Sequence, residues 1–350
     1  MKWSCGSQDV AGPQCEPKPQ ASRVCDRVPA VRGEPLSVAR WAVFAYHTFG
    51  ARALEALLAR GEPVVAVVTH PDDPGEGDWF ESVAETARVH RLPLFAPPSP
   101  NLPAVVDALR ALAPDVILSV WYRRLLGPDL LALPRVAALN LHGSLLPEYR
   151  GRAPVNWVLV NGERRTGVTL HHMTAEADAG DIVAQQAIDI EPEDTALTLY
   201  RRIVKVGVDL LIDAYPAVLV GAAPRIPQDH ARATVFPRRR PEDGRVEWTW
   251  PAGRVADTIR AVTHPYPGAF VGDGTGRLFL WGGAALPGLR SGAAPGTLLE
   301  ILHAQGILVA TGEGALLLTR AQSAGGAEEP ADLWALRRVL RPGMRVTEGP

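Results

Sequence analysis

Hydrophobic and polar positions change their rhythm along the chain. From Trp41 short apolar runs alternate with amphipathic stretches, the order expected of a parallel sheet covered by helices. Trp41 to Tyr46 reads as a first buried strand, Ala51 to Arg60 as a helix and Pro63 to His70 as a second strand. Phe80 to His90 follows as a helix, Pro93 to Phe95 as a short strand, Leu102 to Leu112 as a helix and Asp115 to Val120 as a fourth strand. A helix over Leu126 to Leu133 leads to a strand over Val136 to Leu141, after which the chain turns polar and rich in Gly and Pro. In open parallel sheets the ligand crevice lies beyond the carboxyl ends of the strands, so a functional loop is expected straight after Leu141. Thr166 to His172 and Ile182 to Ile190 read as two further strands, and Asp194 with Thr195 as the cap of a long helix reaching about Val220.

Beyond a Pro- and Arg-rich connection, Pro224 to Pro241, the rhythm is one of short strands between Gly-rich turns. These are Val246 to Trp250, Ala269 to Val271, Arg277 to Trp281, Gly296 to Leu302, Ile307 to Ala310 and Ala315 to Leu318, with a final helix over Leu333 to Leu340. The expected fold class is α/β: a Rossmann-like parallel sheet domain followed by a small C-terminal antiparallel β-barrel of OB-like type. The expected divisions are a disordered N-terminal extension over 1–39, a catalytic domain over 40–225, a linker over 226–244 and the barrel over 245–342. The extension is rich in Pro, Ser, Gln and charge and follows neither a period of two nor one of 3.6. It reads as disordered, or as residues ahead of a later start of translation.

Composition narrows the function classes. The 350 residues carry a formal net charge of -2, which gives no general attraction to nucleic acid or anionic lipid. All 3 cysteines lie in the first 25 residues at a spacing that matches no metal motif, so no metal site is expected. No apolar run approaches the roughly 20 residues needed to span a bilayer, and a cytoplasmic protein is expected. The first strand ends in His47-Thr48-Phe49-Gly50 and not in Gly-x-Gly-x-x-Gly, which disfavours a dehydrogenase, and the chain has no phosphate loop of the ATPase type.

The informative stretch runs from Asn140 to Pro154. Asn140 and His142 are two apart at a strand end, so their side chains share one face. Acyl transfer to an amine needs an amide-type donor for the oxyanion and a base for the proton that the amine loses. Asp178, before Gly180 in a turn, is the carboxylate that could favour the imidazolium of His142 and fix its ring, or could merely cap that turn.

The string Asn140-x-His142, Ser144-Leu145-Leu146-Pro147, Tyr149-Arg150-Gly151, Pro154-x-x-Trp157, Gly162-Glu163, Gly167-Val168-Thr169, Met173, Asp178-x-Gly180 and Asp194-Thr195 resembles the 10-formyltetrahydrofolate transferase family. The resemblance runs from about Trp41 to about Leu318. It includes Pro265-x-Pro267-Gly268-Ala269-Phe270, and is strongest to the branch acting on UDP-4-amino-4-deoxy-L-arabinose. It implies that Asn140 stabilises an oxyanion, that His142 shuttles a proton and that Asp178 supports His142. It also implies that Arg124, Leu125, Leu126, Arg152, Thr174, Ala175, Glu176, Ala177 and Asp178 contact the co-substrate, 10-formyltetrahydrofolate. Leu125 and Leu126 could equally be core residues, and Arg152 a surface guanidinium. The partners implied are a nucleotide-linked amino sugar and folate, with neither nucleic acid nor membrane. Two alternatives stay open: a methionyl-tRNA formyltransferase, and a non-catalytic protein that binds folate or a sugar nucleotide. Against tRNA stands the acidic stretch from His70 to Glu81, where tRNA-formylating relatives carry a basic loop. The Arg238-Arg239-Arg240 run reads as a solvated linker face.

Overall fold

The apolar runs after Trp41 pair into a single sheet. In chain order the strands are β1 (Trp41–Ala45), β2 (Val64–Val68), β3 (Leu94–Phe95), β4 (Val116–Val120), β5 (Ala137–His142), β6 (Arg150–Gly151), β7 (Arg165–His172), β8 (Ile182–Asp189) and β9 (Val235–Phe236). Seven of them form a sheet in the order β3-β2-β1-β4-β5-β7-β8, while β6 and β9 make a separate parallel pair. The computed structural model describes residues 39–71, 79–272 and 276–347. Of the expected extension only Ala39 is therefore described, and it is buried in the core; residues 72–78 of the acidic stretch also lie outside the described residues.

β1 and β4 are buried at every position, as strands covered on both faces must be. The cover comes from α1 (His47–Ala59), α2 (Val83–Val89), α3 (Pro103–Ala111), α4 (Pro128–Leu131), α5 (Pro154–Val160) and α6 (Ala196–Leu219). The strand order reverses between β1 and β4, and this switch point opens the crevice at their carboxyl ends. α1 starts at His47, four residues before its expected start, because Gly50 lets the first turn sit on the end of β1; a Cβ there would come within 2.8 Å of Ala45 Cβ.

The sheet is not parallel throughout. β7 pairs antiparallel with both β5 and β8. The connection over residues 173–181 is too short for the crossover of about a dozen residues that a parallel β7–β8 pair would need. The cap of α6 is also Thr195 and not Asp194. The Thr195 hydroxyl accepts from the Thr198 amide at 3.3 Å and the Thr198 hydroxyl accepts from the Thr195 amide at 2.9 Å. Asp194 instead accepts from the Glu191 amide at 2.9 Å.

Past the connection the chain forms α7 (Ala252–Val262), β10 (Ala269–Val271), β11 (Leu278–Leu286), β12 (Leu298–Leu302), β13 (Gly306–Ala310), β14 (Ala315–Ser323), β15 (Glu329–Pro330) and α8 (Ala331–Arg337). The strands make an antiparallel sheet in the order β10-β11-β14-β13-β12, with β15 on β14. The expected strand over Val246 to Trp250 does not form. Val246 and Trp248 are buried between exposed neighbours, so the period of two is real, but among the described residues the segment is flanked by isolated bridges, Arg245 to Phe270 and Pro251 to Glu313, and forms no strand. α7 stands beside it, burying Ala252, Val255, Ile259 and Val262 at helical spacing. α5 is tied to α7 by Asn156, whose buried Nδ2 donates to the Ala261 carbonyl at 2.7 Å.

α6 lies close to α1 at Gly207, where an added Cβ would stand 2.3 Å from Phe49 Cζ and 3.2 Å from Val168 Cγ1. Phe49 is fully buried and has no room to move away. Gly207→Val is expected to lower the urea unfolding free energy by about 1–3 kcal/mol. Gly253→Ala, with open space around the new methyl, is expected to leave it unchanged or raise it by about 0.4–1 kcal/mol. Equal behaviour of the two variants would refute the close helix packing.

Candidate active site

β5 ends with Asn140 and His142 on one face, and the antiparallel register with β7 sets His171 directly opposite Asn140. His142 is buried, and its Nε2 lies 2.8 Å from the Tyr149 carbonyl. A carbonyl only accepts, so Nε2 carries the proton and Nδ1 is the nitrogen free to take one. That Nδ1 faces Asp178 Oδ1 at 3.6 Å. The same logic places a proton on Nδ1 of His171, 2.9 Å from the His172 carbonyl, and leaves its Nε2 to accept from Asn140 Nδ2 at 3.0 Å. Asn140 Nδ2 also donates to Asp178 Oδ1 at 3.2 Å, so both of its amide hydrogens are engaged.

Asp178 has left-handed backbone, φ 55, in the turn after β7. The Gly151 amide donates to its Oδ2 at 2.8 Å. Burial alone would raise the Asp178 carboxyl, but the imidazoles of His142 and His171 and the Gly151 amide outweigh it and hold the group well below the usual carboxylate range. The turn is anchored from behind by Gln228, whose Nε2 donates to the Asp178 and Gly180 carbonyls at 2.8 and 2.7 Å. Gln228 Oε1 in turn accepts from Nε and Nη2 of the buried Arg150 at 3.2 and 2.7 Å.

Asn140, His142 and Asp178 border one cavity of about 710 Å³. Arg124, Leu125, Leu126, Arg152, Thr174, Glu176 and Ala177 border it too, whereas Ala175 does not. Both alternatives for the leucines have substance: Leu126 is buried and packs in the core with Phe44 and Leu130, while Leu125 is exposed. Arg152 is exposed and donates from Nη1 to the Arg123 carbonyl at 3.1 Å.

The family pattern described as formyl transferase matches residues 39–215, and its C-terminal domain pattern matches residues 239–338. The chain belongs to the formyl transferase family. Among solved structures it is similar to HypX from Aquifex aeolicus in complex with tetrahydrofolic acid, at 20% identity and a TM-score of 0.59 over 85% of this chain and 47% of that one. The chain thus spans about half the length of that relative. It is also similar to an N-formyltransferase from Helicobacter canadensis in complex with folinic acid and dTDP-3-aminofucose, at 16% identity and a TM-score of 0.61 over 80% and 99% of the two chains. WlaRD, a sugar 3N-formyl transferase, matches at 16% identity and a TM-score of 0.60 over 83% and 99%. At these identities the likeness is one of fold.

Several groups of the candidate site carried no signal in the sequence. His171 and Gln228 belong to no spaced motif; the first enters through strand register and the second from a connection without periodicity. The Arg238-Arg239-Arg240 run borders the cavity, with Arg238 and Arg240 exposed as a solvated face requires. An aromatic wall made by His47, Trp79, Trp121, Tyr200 and Tyr266 completes the lining. Among the described residues no helix is long and apolar enough to cross a membrane.

His47 takes a left-handed backbone, φ 66, where β1 passes into α1, and stacks on Phe80 with ring centroids 4.1 Å apart. The Tyr200 hydroxyl accepts from the Phe49 amide at 3.0 Å and lies 2.6 Å from His47 Nδ1, to which it donates. Burial, followed by the charge of Arg123, lowers the imidazole from 6.5 to about 3. The folded protein therefore declines a proton that the unfolded chain binds below pH 6.5, so this group's contribution to stability falls as the pH drops from 6.5 toward 3. Asn tolerates the left-handed backbone and keeps an acceptor, so His47→Asn is the suitable comparison. In urea unfolding the gap between wild type and variant is expected to shift against the wild type by up to about 1.4 kcal/mol per pH unit below 6.5. Parallel pH dependences would contradict a neutral His47.

Proposed function

We propose that the protein transfers the formyl group of 10-formyltetrahydrofolate to the amine of a nucleotide-linked amino sugar, with UDP-4-amino-4-deoxy-L-arabinose the leading candidate. The observation that carries this reading is the convergence of Asn140, His142 and Asp178 in one cavity that also holds a basic run and an aromatic wall. Support comes from the sugar N-formyltransferases of the same fold, one of them bound to folinic acid and dTDP-3-aminofucose. The sequence pattern Val43 to His47 and Arg150 to Glu163 favours the UDP-linked sugar. The position of the compact basic run on the cavity favours a small anionic acceptor over a tRNA stem.

10-Formyltetrahydrofolate supplies the activated formyl carbon; its bond to the folate nitrogen is exchanged for one to the acceptor amine, and tetrahydrofolate leaves. The amine must attack neutral and loses a proton as the new bond forms. His142 takes that proton at Nδ1, the nitrogen not committed to the Tyr149 carbonyl, and returns it to the departing folate nitrogen. Asp178 faces the same nitrogen and stabilises the imidazolium between these two events. Asn140 meets the negative charge on the formyl oxygen by exchanging its His171 contact for it, so that one amide hydrogen stays on Asp178 and holds the side chain in place. The folate positions are Arg124, Leu125, Leu126, Arg152, Thr174, Glu176, Ala177 and Asp178, with Ala175 acting through the shape of its turn.

The test is release of tetrahydrofolate by the purified chain with UDP-, dTDP- and GDP-linked amino sugars and with methionyl-tRNA. Turnover is expected with a nucleotide-linked sugar, foremost the UDP-linked one. Replacing Asn140 by Ala should cost about 10²–10³ in turnover and His142→Ala about 10²–10⁴. Turnover with methionyl-tRNA alone, or folate binding without release on any acceptor, would overturn the proposal.

A further inference from the structure

The Pro265-x-Pro267-Gly268 motif turns at the edge of the cavity, in the loop between α7 and β10. Val262, Pro265, Tyr266 and Pro267 border the cavity, although they belong to the part of the chain that matches the C-terminal domain pattern. The loop is tied to Trp281 on β11. The Thr263 hydroxyl donates to the Trp281 carbonyl at 2.7 Å, and the His264 ring lies on the Trp281 indole with centroids 3.9 Å and planes 5° apart. Gly268, at φ 90, closes the loop against the same indole, where a Cβ would stand 2.8 Å from the ring. Its amide returns to the Val262 carbonyl at 2.9 Å, so the loop begins and ends at one place.

A further set of bonds fixes the histidine. Burial alone would raise the Glu328 carboxyl, but the bonds from Arg320 and His264 outweigh it and hold the group below the usual carboxylate range. One Glu328 oxygen accepts from Arg320 Nε, and the other lies 2.7 Å from His264 Nε2. A carboxylate only accepts, so that nitrogen carries a proton. Trp281 is held in turn, its Nε1 donating to Gln322 Oε1 at 2.7 Å. The His264 side chain is 60% exposed, and an ion pair so open to water adds little to global stability. Its effect is local: it fixes the loop that carries Tyr266.

Tyr266 meets Trp79 edge to face, with ring centroids 5.8 Å apart. Trp79 continues to His47 at 4.4 Å and to Tyr200 at 6.0 Å, residues of α1 and α6. The proposed folate positions follow β4, β6 and β7 instead. Tyr266 therefore stands with the part of the lining that the folate positions leave open. Tyr and Trp offer a large, rigid contact area with little conformational entropy to lose. We infer that Tyr266 binds the acceptor and that His264 and Glu328 are positioning residues that hold its loop on the cavity. The inference rests on the proposed nucleotide-linked acceptor and adds that its recognition needs both halves of the chain.

The experiment is steady-state formyl transfer by the full chain, as wild type, His264→Phe, Glu328→Ala, their double variant and Tyr266→Ala, with acceptor and folate varied in turn. Melting temperatures report folding, and hydrogen exchange of the Tyr266 and Gly268 amides reports the loop with no acceptor present. Phe keeps a ring on Trp281 and removes the bond to Glu328. His264→Phe and Glu328→Ala are each expected to speed exchange of these amides and to raise the acceptor KM by about 3–10-fold, the equivalent of one displaced aromatic contact. Both should keep kcat and the folate KM near wild type. The double variant should be no worse than either, because the two residues share one bond. Tyr266→Ala should raise the acceptor KM at least as far. If wild type formylates some other amine, the proposed acceptor falls, and the same comparison on that amine decides the inference. An unchanged acceptor KM in folded His264→Phe and Glu328→Ala proteins would overturn it. So would a rise confined to the folate KM, or losses that multiply in the double variant.

Discussion

The Asp178 carboxylate is taken out of water beside two imidazoles, and such a group is tolerable only where donors are held in place to meet it. Its neighbours come from four separate parts of the chain. Asn140 and His142 arrive on β5, the Gly151 amide on β6, His171 on β7, and Gln228 reaches the backbone of the same turn from the connection between the two halves. The carboxylate therefore depends on the sheet register, on the β6–β9 pair and on the path of the connection together. A slip of one residue in the β5–β7 register would turn His171 away from Asn140 and leave one of its amide hydrogens without that partner.

The antiparallel end of the otherwise parallel sheet takes part in the same arrangement. Because β7 runs against β5, it passes from Thr169 opposite His142 to His172 opposite Leu139, and the turn that follows brings Asp178 back against Asn140 and His142. The second half contributes to the same cavity through Val262, Pro265, Tyr266 and Pro267, and the Asn156 bond to Ala261 fixes it there. One wall is thus cationic, one aromatic, and the reacting groups stand where they border the same space.

Much of this was legible in the sequence, for a physical reason. β1, β4 and β5 are continuous or nearly continuous apolar runs, and Asn140, His142 and Asp178 stand in an ordered string of motif residues. Strand direction at β7 and β8 was legible only from the short connection over residues 173–181, because no residue pattern within a strand says which way it points. Val246 to Trp250 had the alternation of a strand but meets its neighbours only through isolated bridges at its two ends, while α7 beside it hid its helical spacing behind a Pro-Ala-Gly start. His171 and Gln228 acquire their roles only through contacts across 31 and 50 residues of chain, which no local pattern encodes. The place of Arg238 at the cavity was not legible, because a short arginine run in a polar connection gives no hint of the parallel β6–β9 pair before it.

At the centre of the account stands the claim that Asp178 serves the chemistry through His142 and not on its own. The direct measurement is the single-turnover rate of formyl transfer for wild type, Asp178→Asn, His142→Ala and the double variant. Groups acting as one unit lose their function once, so the double variant should be little slower than His142→Ala alone. If the two losses multiply as though independent, Asp178 acts on the reaction by another route and the coupled site described here is wrong.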